Sequence, residues 1–552
     1  MGGAEGSSLG GAAGKGGISA AGSTGSFAGS SGKAGGSGAS AGSSNGGAGA
    51  GGKGGVSSAG GAGAAGGAGT GGAGGTGSGG AASCPIGAVI CAGAQPSECN
   101  GTGYFPKGAP CATAALCTNG ACATPACGVN EKICKGKTPY VCNADQTMFV
   151  KGVTCALSQT CSAGACASPV SVAAGTAVTC ATFSDGSLFC WGGNGQGELG
   201  IGTIGGWREL PQLVVADTFG NPLKNVVEVE TGGNDTCARL ANGDVYCWGG
   251  DADGGLGDDM AVTPTTGLPV KVSLPVAATR LRTNVRGSTC ALGVDGNVYC
   301  WGPQSDVDPI VFPSSPVPLV QQPVVGITDL AVGPSVKCSL SSDATATNQI
   351  KCWGTNNDGE VGYGMGVNGG SMPMAIPEGG QPLQGIHQIV SGGDPLTESS
   401  HICVVLGDGL SNGQILCWGH NSSGAVGVPV ANAPSGSVTS PTLLPIAGVA
   451  LTTKGVHVCA RLKSLSSTEN VLCWGDNQYG QLGRGMATSA AMPDAAAVTG
   501  LKNASVVSAG ASHTCAISGS DGSLYCWGGN GVGQLGVGTL ANQPAPVLVE
   551  FP

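Results

Sequence analysis

From Val170 to the C-terminus, apolar residues come in short runs, each broken by glycine or by an Asp-Gly or Asn-Gly pair. The last stretch shows the unit most clearly. It reads Val506-Val507-Ser508-Ala509-Gly510, His513-Thr514-Cys515-Ala516-Ile517, Asp521-Gly522, Leu524-Tyr525-Cys526-Trp527-Gly528 and Gly533-Gln534-Leu535-Gly536. Short alternating or β-branched runs closed by turn formers predict strands. A 3.6-residue period is nowhere sustained, so helices are not expected. A strand ending in Ala-Gly leads to a second strand with a cysteine. An Asp-Gly turn leads to a third ending in Cys-Trp-Gly. A glycine-rich turn then leads to a fourth, of Pro-Val type.

The unit recurs. Cys-Trp-Gly begins at Cys190, Cys247, Cys300, Cys352, Cys417, Cys473 and Cys526, at intervals of 57, 53, 52, 65, 56 and 53 residues. A period in the low fifties with four strands per repeat predicts an all-β, seven-bladed β-propeller over residues 169–552. Trp191, Trp248, Trp301, Trp353, Trp418, Trp474 and Trp527 fall at one repeat position, which suits packing between neighbouring blades. A platform for a carbohydrate or chromophore is the rival role. Trp207 stands outside the pattern.

Every repeat carries a second, upstream cysteine. The pairs are Cys180/Cys190, Cys237/Cys247, Cys290/Cys300, Cys338/Cys352, Cys403/Cys417, Cys459/Cys473 and Cys515/Cys526. In the first repeat, Ser184-Asp185-Gly186 suits a three-residue hairpin turn. Counting outward puts Cys180 opposite Cys190, within disulfide reach. One disulfide per hairpin is predicted, with an extra loop residue or bulge in the last repeat. His401, His457 and His513 share the position two residues before the first cysteine. Val178, Asp235, Ser288 and Val336 hold it elsewhere, a tolerance that argues against a ligand role.

Residues 83–168 contain the other twelve cysteines, in two sets. Cys84, Cys91, Cys99, Cys111, Cys117 and Cys122 are stepped by 7, 8, 12, 6 and 5 residues; Cys127, Cys134, Cys142, Cys155, Cys161 and Cys166 by 7, 8, 13, 6 and 5. This is a tandem duplication, one module over 83–124 and one over 125–168. Modules so small rely on disulfides in place of a large core. Fifteen pairings are open in each. Zinc would need close ligand pairs, and the region has neither C-x-x-C nor histidine.

Residues 1–82 are almost wholly Gly, Ala and Ser, a flexible tether by composition. Gly47 to Lys53 mimics a phosphate loop, and Gly38 to Gly42 a nucleophile elbow. Neither has flanking strand and helix patterns, so both are expected by chance. The formal charge of −10 comes with only 10% charged residues and no basic stripe, which excludes nucleic-acid binding. There is no transmembrane segment.

Twenty-six cysteines in ordered spacing point to an oxidising compartment, extracellular or at the cell surface (outer membrane or periplasm). Met1 to Gly6 is not a signal peptide. A signal or lipid anchor upstream of Met1 is therefore expected.

The repeats resemble those of the regulator of chromosome condensation family. The resemblance rests on Ala-Gly-x-x-His-Thr-Cys-Ala around Cys515, on Asp-Gly before Tyr-Cys-Trp-Gly, and on Asn-x-x-Gly-Gln-Leu-Gly at Asn477–Gly483 and Asn530–Gly536. It spans about 380 residues. The third repeat departs, with Gly302-Pro303-Gln304-Ser305-Asp306 after Trp301, so its fourth strand has no marker. The resemblance implies a seven-bladed ring closed by strands from both chain ends. Here Pro546-Val547-Leu548-Val549-Glu550 would complete the blade begun by Val170-Ser171-Val172. The tether and cysteine modules look like those of surface or secreted bacterial proteins.

The expected function is a non-enzymatic, exported binding or scaffold protein that presents a propeller face to a protein or surface glycan. The long hairpin loops Ser341–Gln349 and Leu406–Gln414 are its candidate contacts. The resemblance brings one alternative, nucleotide exchange on a GTPase. The other is an enzyme with an unrecognised site. No cofactor, catalytic residue or metal centre is expected; Asp251, Asp253, Asp258 and Asp259 read as a polar loop, with weak Ca²⁺ binding as the rival.

Overall fold

A computed structural model describes residues 84–552 apart from 252–253, 260–264, 304–314, 321–325, 343–347, 365–373, 376, 379–380, 395, 398, 434–435 and 464–468. The tether, Asp253, Gln304 to Asp306 and most of the loop Ser341–Gln349 lie outside the described residues.

Seven four-stranded antiparallel sheets follow one another along 169–213, 226–271, 278–320, 327–375, 386–448, 450–497 and 504–548, each with its strands in chain order. The third blade does have a fourth strand, Ser315–Val320. The first strands of all seven line one axial channel. The fourth strands form the outer rim, where prolines such as Pro211, Pro269, Pro441, Pro493 and Pro544 blunt edge pairing.

The apolar clusters lie mainly between blades. One joins Leu199 of the first blade to Val229, Ala238 and Trp248 of the second. The repeat tryptophans sit in these layers; six are fully buried and Trp353 is 3% exposed. Indole nitrogens donate to the preceding blade: Trp191 to Gln534 O (3.0 Å), Trp248 to Glu198 O (2.8 Å), Trp418 to Glu360 O (2.8 Å), Trp474 to Ala425 O (2.9 Å) and Trp527 to Gln481 O (2.9 Å). Trp301 Nε1 has no hydrogen-bond partner among the described residues. The rings therefore pack blade on blade, and six of them expose no face to a ligand.

The Gly-Gln-Leu-Gly turn serves this contact. Its leucine enters the layer, and a buried Asn holds the turn, as when Asn530 Oδ1 accepts Leu535 N at 3.0 Å. The last glycine, Gly536, has φ +72, and a Cβ there would lie 2.6 Å from Trp191 Nε1. Both facts require glycine. In the second blade Asp251 replaces the Asn, and its Oδ1 accepts Leu256 N at 3.0 Å.

The ring does not close by strand exchange. Pro169–Ala174 pairs with its own hairpin, and Gln543–Leu548 completes the last blade. The expected closure by both chain ends is therefore corrected. The first and last blades instead meet face to face. Phe551, 3% exposed, lies among Phe183, Phe189 and Trp191, with ring centroids 4.8, 5.6 and 5.7 Å away. Each repeat here already contains four strands, so none is missing for the far end to supply.

Both cysteine modules have one connectivity, first to third, second to fifth and fourth to sixth. The bonds are Cys84–Cys99, Cys91–Cys117 and Cys111–Cys122, then Cys127–Cys142, Cys134–Cys161 and Cys155–Cys166. The second module sits on the seam of the ring. Ser158 Oγ donates to Val549 O (3.0 Å) and accepts from Leu524 N (3.3 Å), while Phe551 N donates to Leu157 O (3.0 Å).

Candidate functional site

In each propeller hairpin the two cysteines face each other directly and are bonded: Cys180–Cys190, Cys237–Cys247, Cys290–Cys300, Cys338–Cys352, Cys403–Cys417, Cys459–Cys473 and Cys515–Cys526. Cα–Cα distances are 4.1 Å, or 4.2 Å for Cys403–Cys417, close for an antiparallel pair. The last hairpin absorbs its extra residue in the turn, where Ser518 N donates to Ser523 O at 2.8 Å.

The histidines clasp neighbouring blades. His401 Nε2 meets Thr453 Oγ1 at 3.0 Å, His457 Nε2 meets Thr514 Oγ1 at 2.8 Å, and His513 Nε2 meets Thr179 Oγ1 at 2.7 Å. Burial pushes each of the three to a pKa of about 3, so they are neutral. Asp235 holds the same position in the second blade. Burial raises its carboxyl to about 8, and neither oxygen has a side-chain hydrogen-bond partner among the described residues. Burial also raises Glu360 to about 7.

These shifts oppose one another. An imidazole free in the unfolded chain titrates near 6.5. With a folded value of about 3, its contribution is full above pH 6.5 and is lost as pH falls toward 3. Asp235 and Glu360 contribute fully at acid pH and lose that contribution as pH rises through about 7 to 8. His457→Gln removes one term. Relative to wild type it should gain about 2 kcal/mol between about pH 7.5 and pH 5, read from urea unfolding. A difference independent of pH would show that this ring is not neutral in the fold.

The chemically richest place is the axis. Alternation along the first strand points every second side chain inward. In six blades this strand carries a bulge at the same point, and in blades two to five the residue after it is Glu228, Arg280, Asp329 and Gln388. Bulges re-aim side chains. A cavity of about 370 Å³ lies along the axis, bounded by residues of all seven first strands. A second, of about 360 Å³, adjoins it on blades one to three and shares Val172, Val229 and Glu230.

One wall is ionic. Arg282 contacts Asp329 (3.0 Å), Glu228 (3.3 Å) and Glu230 (3.7 Å). Burial opposes its charge, but the carboxylates of Asp329, Glu230 and Glu228 outweigh this and raise its pKa. Arg239 Nε binds Glu228 at 2.8 Å, and Arg280 Nη1 reaches Asp329 at 3.3 Å. Lys454 crosses the axis from the sixth blade to Glu230 Oε2 and Thr231 O, both at 2.8 Å. Elsewhere hydroxyls and an amide tie the strands: Thr452 Oγ1 accepts Ala509 N, Ser508 Oγ accepts Ala174 N, and Gln388 bonds both backbone groups of Leu451.

None of these axial residues is evident from the repeat pattern alone, but a signal exists. Three successive repeats carry charges where the others have only Val, Ala, Ser, Thr or Gln. Lys454 stands where other first strands meet their closing glycine, as at Gly175, Gly232, Gly333, Gly392 and Gly510.

Of the proposed loop contacts, the turn within Leu406–Gln414 is built on Asp408, whose Oδ1 accepts Leu410 N (2.9 Å) and Ser411 N (3.1 Å). It leaves Leu410 72% exposed. Among the described residues, no three His, Cys, Asp or Glu side chains gather to hold a metal, and no helix is long and apolar enough to cross a membrane.

The family model for the regulator of chromosome condensation (RCC1) repeat matches residues 185–239, 469–517 and 521–552, and a second model of the repeat matches 505–534. The ultraviolet-B receptor UVR8 of Arabidopsis thaliana is 28% identical over 360 residues, 62% of this chain and 74% of that protein. The human E3 ubiquitin-protein ligase HERC2 is 28% identical over 382 residues, 67% of this chain but only 7% of that protein. Among solved structures, yeast RCC1 (Prp20), bound to Kap60, superposes with a TM-score of 0.53 at 18% identity, covering 69% of this chain and 85% of that one. Human WBSCR16 also gives 0.53, at 20% identity, covering 66% and 94%. At such identities the structures speak for the fold alone.

Proposed function

As a β-propeller of the regulator of chromosome condensation repeat family, this chain is, we propose, a non-enzymatic exported binding protein that presents one face of its ring to a protein or surface glycan. The observation that carries this reading is the cysteine inventory. All 26 cysteines are bonded and none is free. A reducing cytosol would not maintain so many disulfides. Residues 1–82, rich in Gly, Ala and Ser, would act as a spacer from a cell surface.

Binding by a propeller belongs to loops that vary between blades on a rigid ring. The turn around Leu410 fits this, with an apolar tip held by Asp408 and by Asn412 Oδ1, which accepts Lys463 N at 2.7 Å. Replacing 407–412 with the short Ser-Asp-Gly turn of the first blade should reduce capture of surface proteins or glycans at least tenfold, with an unchanged melt. Undiminished capture by the grafted protein would clear this loop.

A further inference from the structure

The ionic wall of the axis is not balanced. Four cations, Arg239, Arg280, Arg282 and Lys454, face three carboxylates, Glu228, Glu230 and Asp329. The surplus positive charge sits in a cavity of a chain whose formal charge is −10. The carboxylates are already engaged. Asp329 Oδ1 accepts Arg280, Arg282 and Leu330 N; Glu228 accepts Arg239, Arg282 and Leu281 N; Glu230 accepts Lys454 and faces Arg282.

Arg280 is the least engaged cation. Its side chain is 43% exposed, against 24% for Arg282, 19% for Arg239 and 12% for Lys454. Its single contact, 3.3 Å to Asp329, goes to an oxygen that Arg282 holds more closely. The rest of its guanidinium has no partner among the described residues and lines the 360 Å³ cavity beside the axis.

We propose that this mouth of the axial channel binds the carboxylate of an acidic sugar, with Arg280 as the principal contact. The proposal rests on the reading of the ring as a binding module, and narrows it to a uronate-type glycan. A planar guanidinium with spare donors suits a carboxylate. Beyond it, the adjoining channel carries hydroxyls. Thr452 Oγ1 and Ser508 Oγ each accept one backbone N–H, which leaves each hydroxyl hydrogen to donate to a ligand oxygen. Sugar hydroxyls can accept such bonds. An acidic peptide fits less well, because its backbone N–H groups need acceptors and four of the six carboxylate oxygens of the wall already accept from its cations or from backbone N–H groups. The combined space is of ordinary size for a small-ligand site.

Calorimetry on the full chain decides this, with an oligogalacturonate, a neutral oligogalactose of equal length and an acidic peptide as probes. The expected result is binding of the uronate alone, weakened at least tenfold by Arg280→Gln with an unchanged melt. On wild type, raising salt from about 0.05 to 0.5 M should also weaken it, a readout independent of the variant's folding. No uronate binding, equal binding by R280Q, or tighter binding of the peptide would overturn the proposal. Loss of uronate binding alongside loop-dependent capture of another partner would sink this site and leave the binding-module reading intact.

Discussion

Treated with a thiol reductant in native buffer, the chain should open its disulfides in two stages. Cys122 and Cys166 are exposed, so Cys111–Cys122 and Cys155–Cys166 open first. None of the fourteen propeller cysteines is more than 1% exposed, so those bonds open only when their blades unfold. Each closes a loop of 10 to 14 residues, for which chain entropy gives about 3 kcal/mol of stabilisation. The modules have little else: the one buried apolar cluster in the first is Cys111, Leu116 and Cys117. Full reduction should therefore leave both modules unfolded and lower the propeller melt by more than about 10 °C. Timed alkylation with peptide mapping reads the order, and circular dichroism reads the fold. Propeller cysteines labelled as fast as Cys122 and Cys166 would contradict the burial argument. Reactive thiols in denatured, unreduced protein from an oxidising host would contradict the pairing itself.

The second large effect is at the seam. Phe551→Ala should cost about 3–5 kcal/mol, the usual range for a buried aromatic removed from a packed site. The side chain touches three rings of the first blade, and its backbone carries a bond to the second module. Deleting 549–552 should cost more, since Val549 O is also the acceptor for Ser158. This deletion leaves the strand Gln543–Leu548 whole. If strand pairing alone closed the ring, losing these four residues, of which only Val549 and Glu550 belong to the expected closing strand, would matter little. A melt within a few degrees of wild type would restore the strand-exchange account. Deleting the module residues that reach Val549 and Phe551 should weaken the same seam, because in this chain a docked cystine module and one phenylalanine stand where an exchanged strand would otherwise latch the ring.

The position two before each first cysteine shows how far the repeat pattern could be read. Its tolerance of His, Asp, Ser and Val argues against a ligand role for His401, His457 and His513. Their actual role, a bond to a threonine of the next blade, depends on which side chain the neighbour presents at that height. Thr453 comes from a first strand, Thr514 and Thr179 from second strands. No spacing within one repeat shows that difference. Asp235 is the same lesson with charge: unremarkable in a list, it is a protonated acid in the fold because the ring buries it. Arg282, Glu230 and Lys454 lie 172 to 224 residues or 52 residues apart in chain yet meet on one axis.

Blade count, strand order and the hairpin cystines were set by local chemistry. Alternation, Asp-Gly turns and opposed cysteines act within one hairpin and repeat seven times, so the sequence alone determines them. Other features required the closed ring. They are the closure by packing rather than exchange, the seating of the second module on Val549 and Phe551, and the charge cluster at the axis. Each is a contact between residues far apart in the chain, and its energy depends on burial and facing partners that exist only after the blades have assembled.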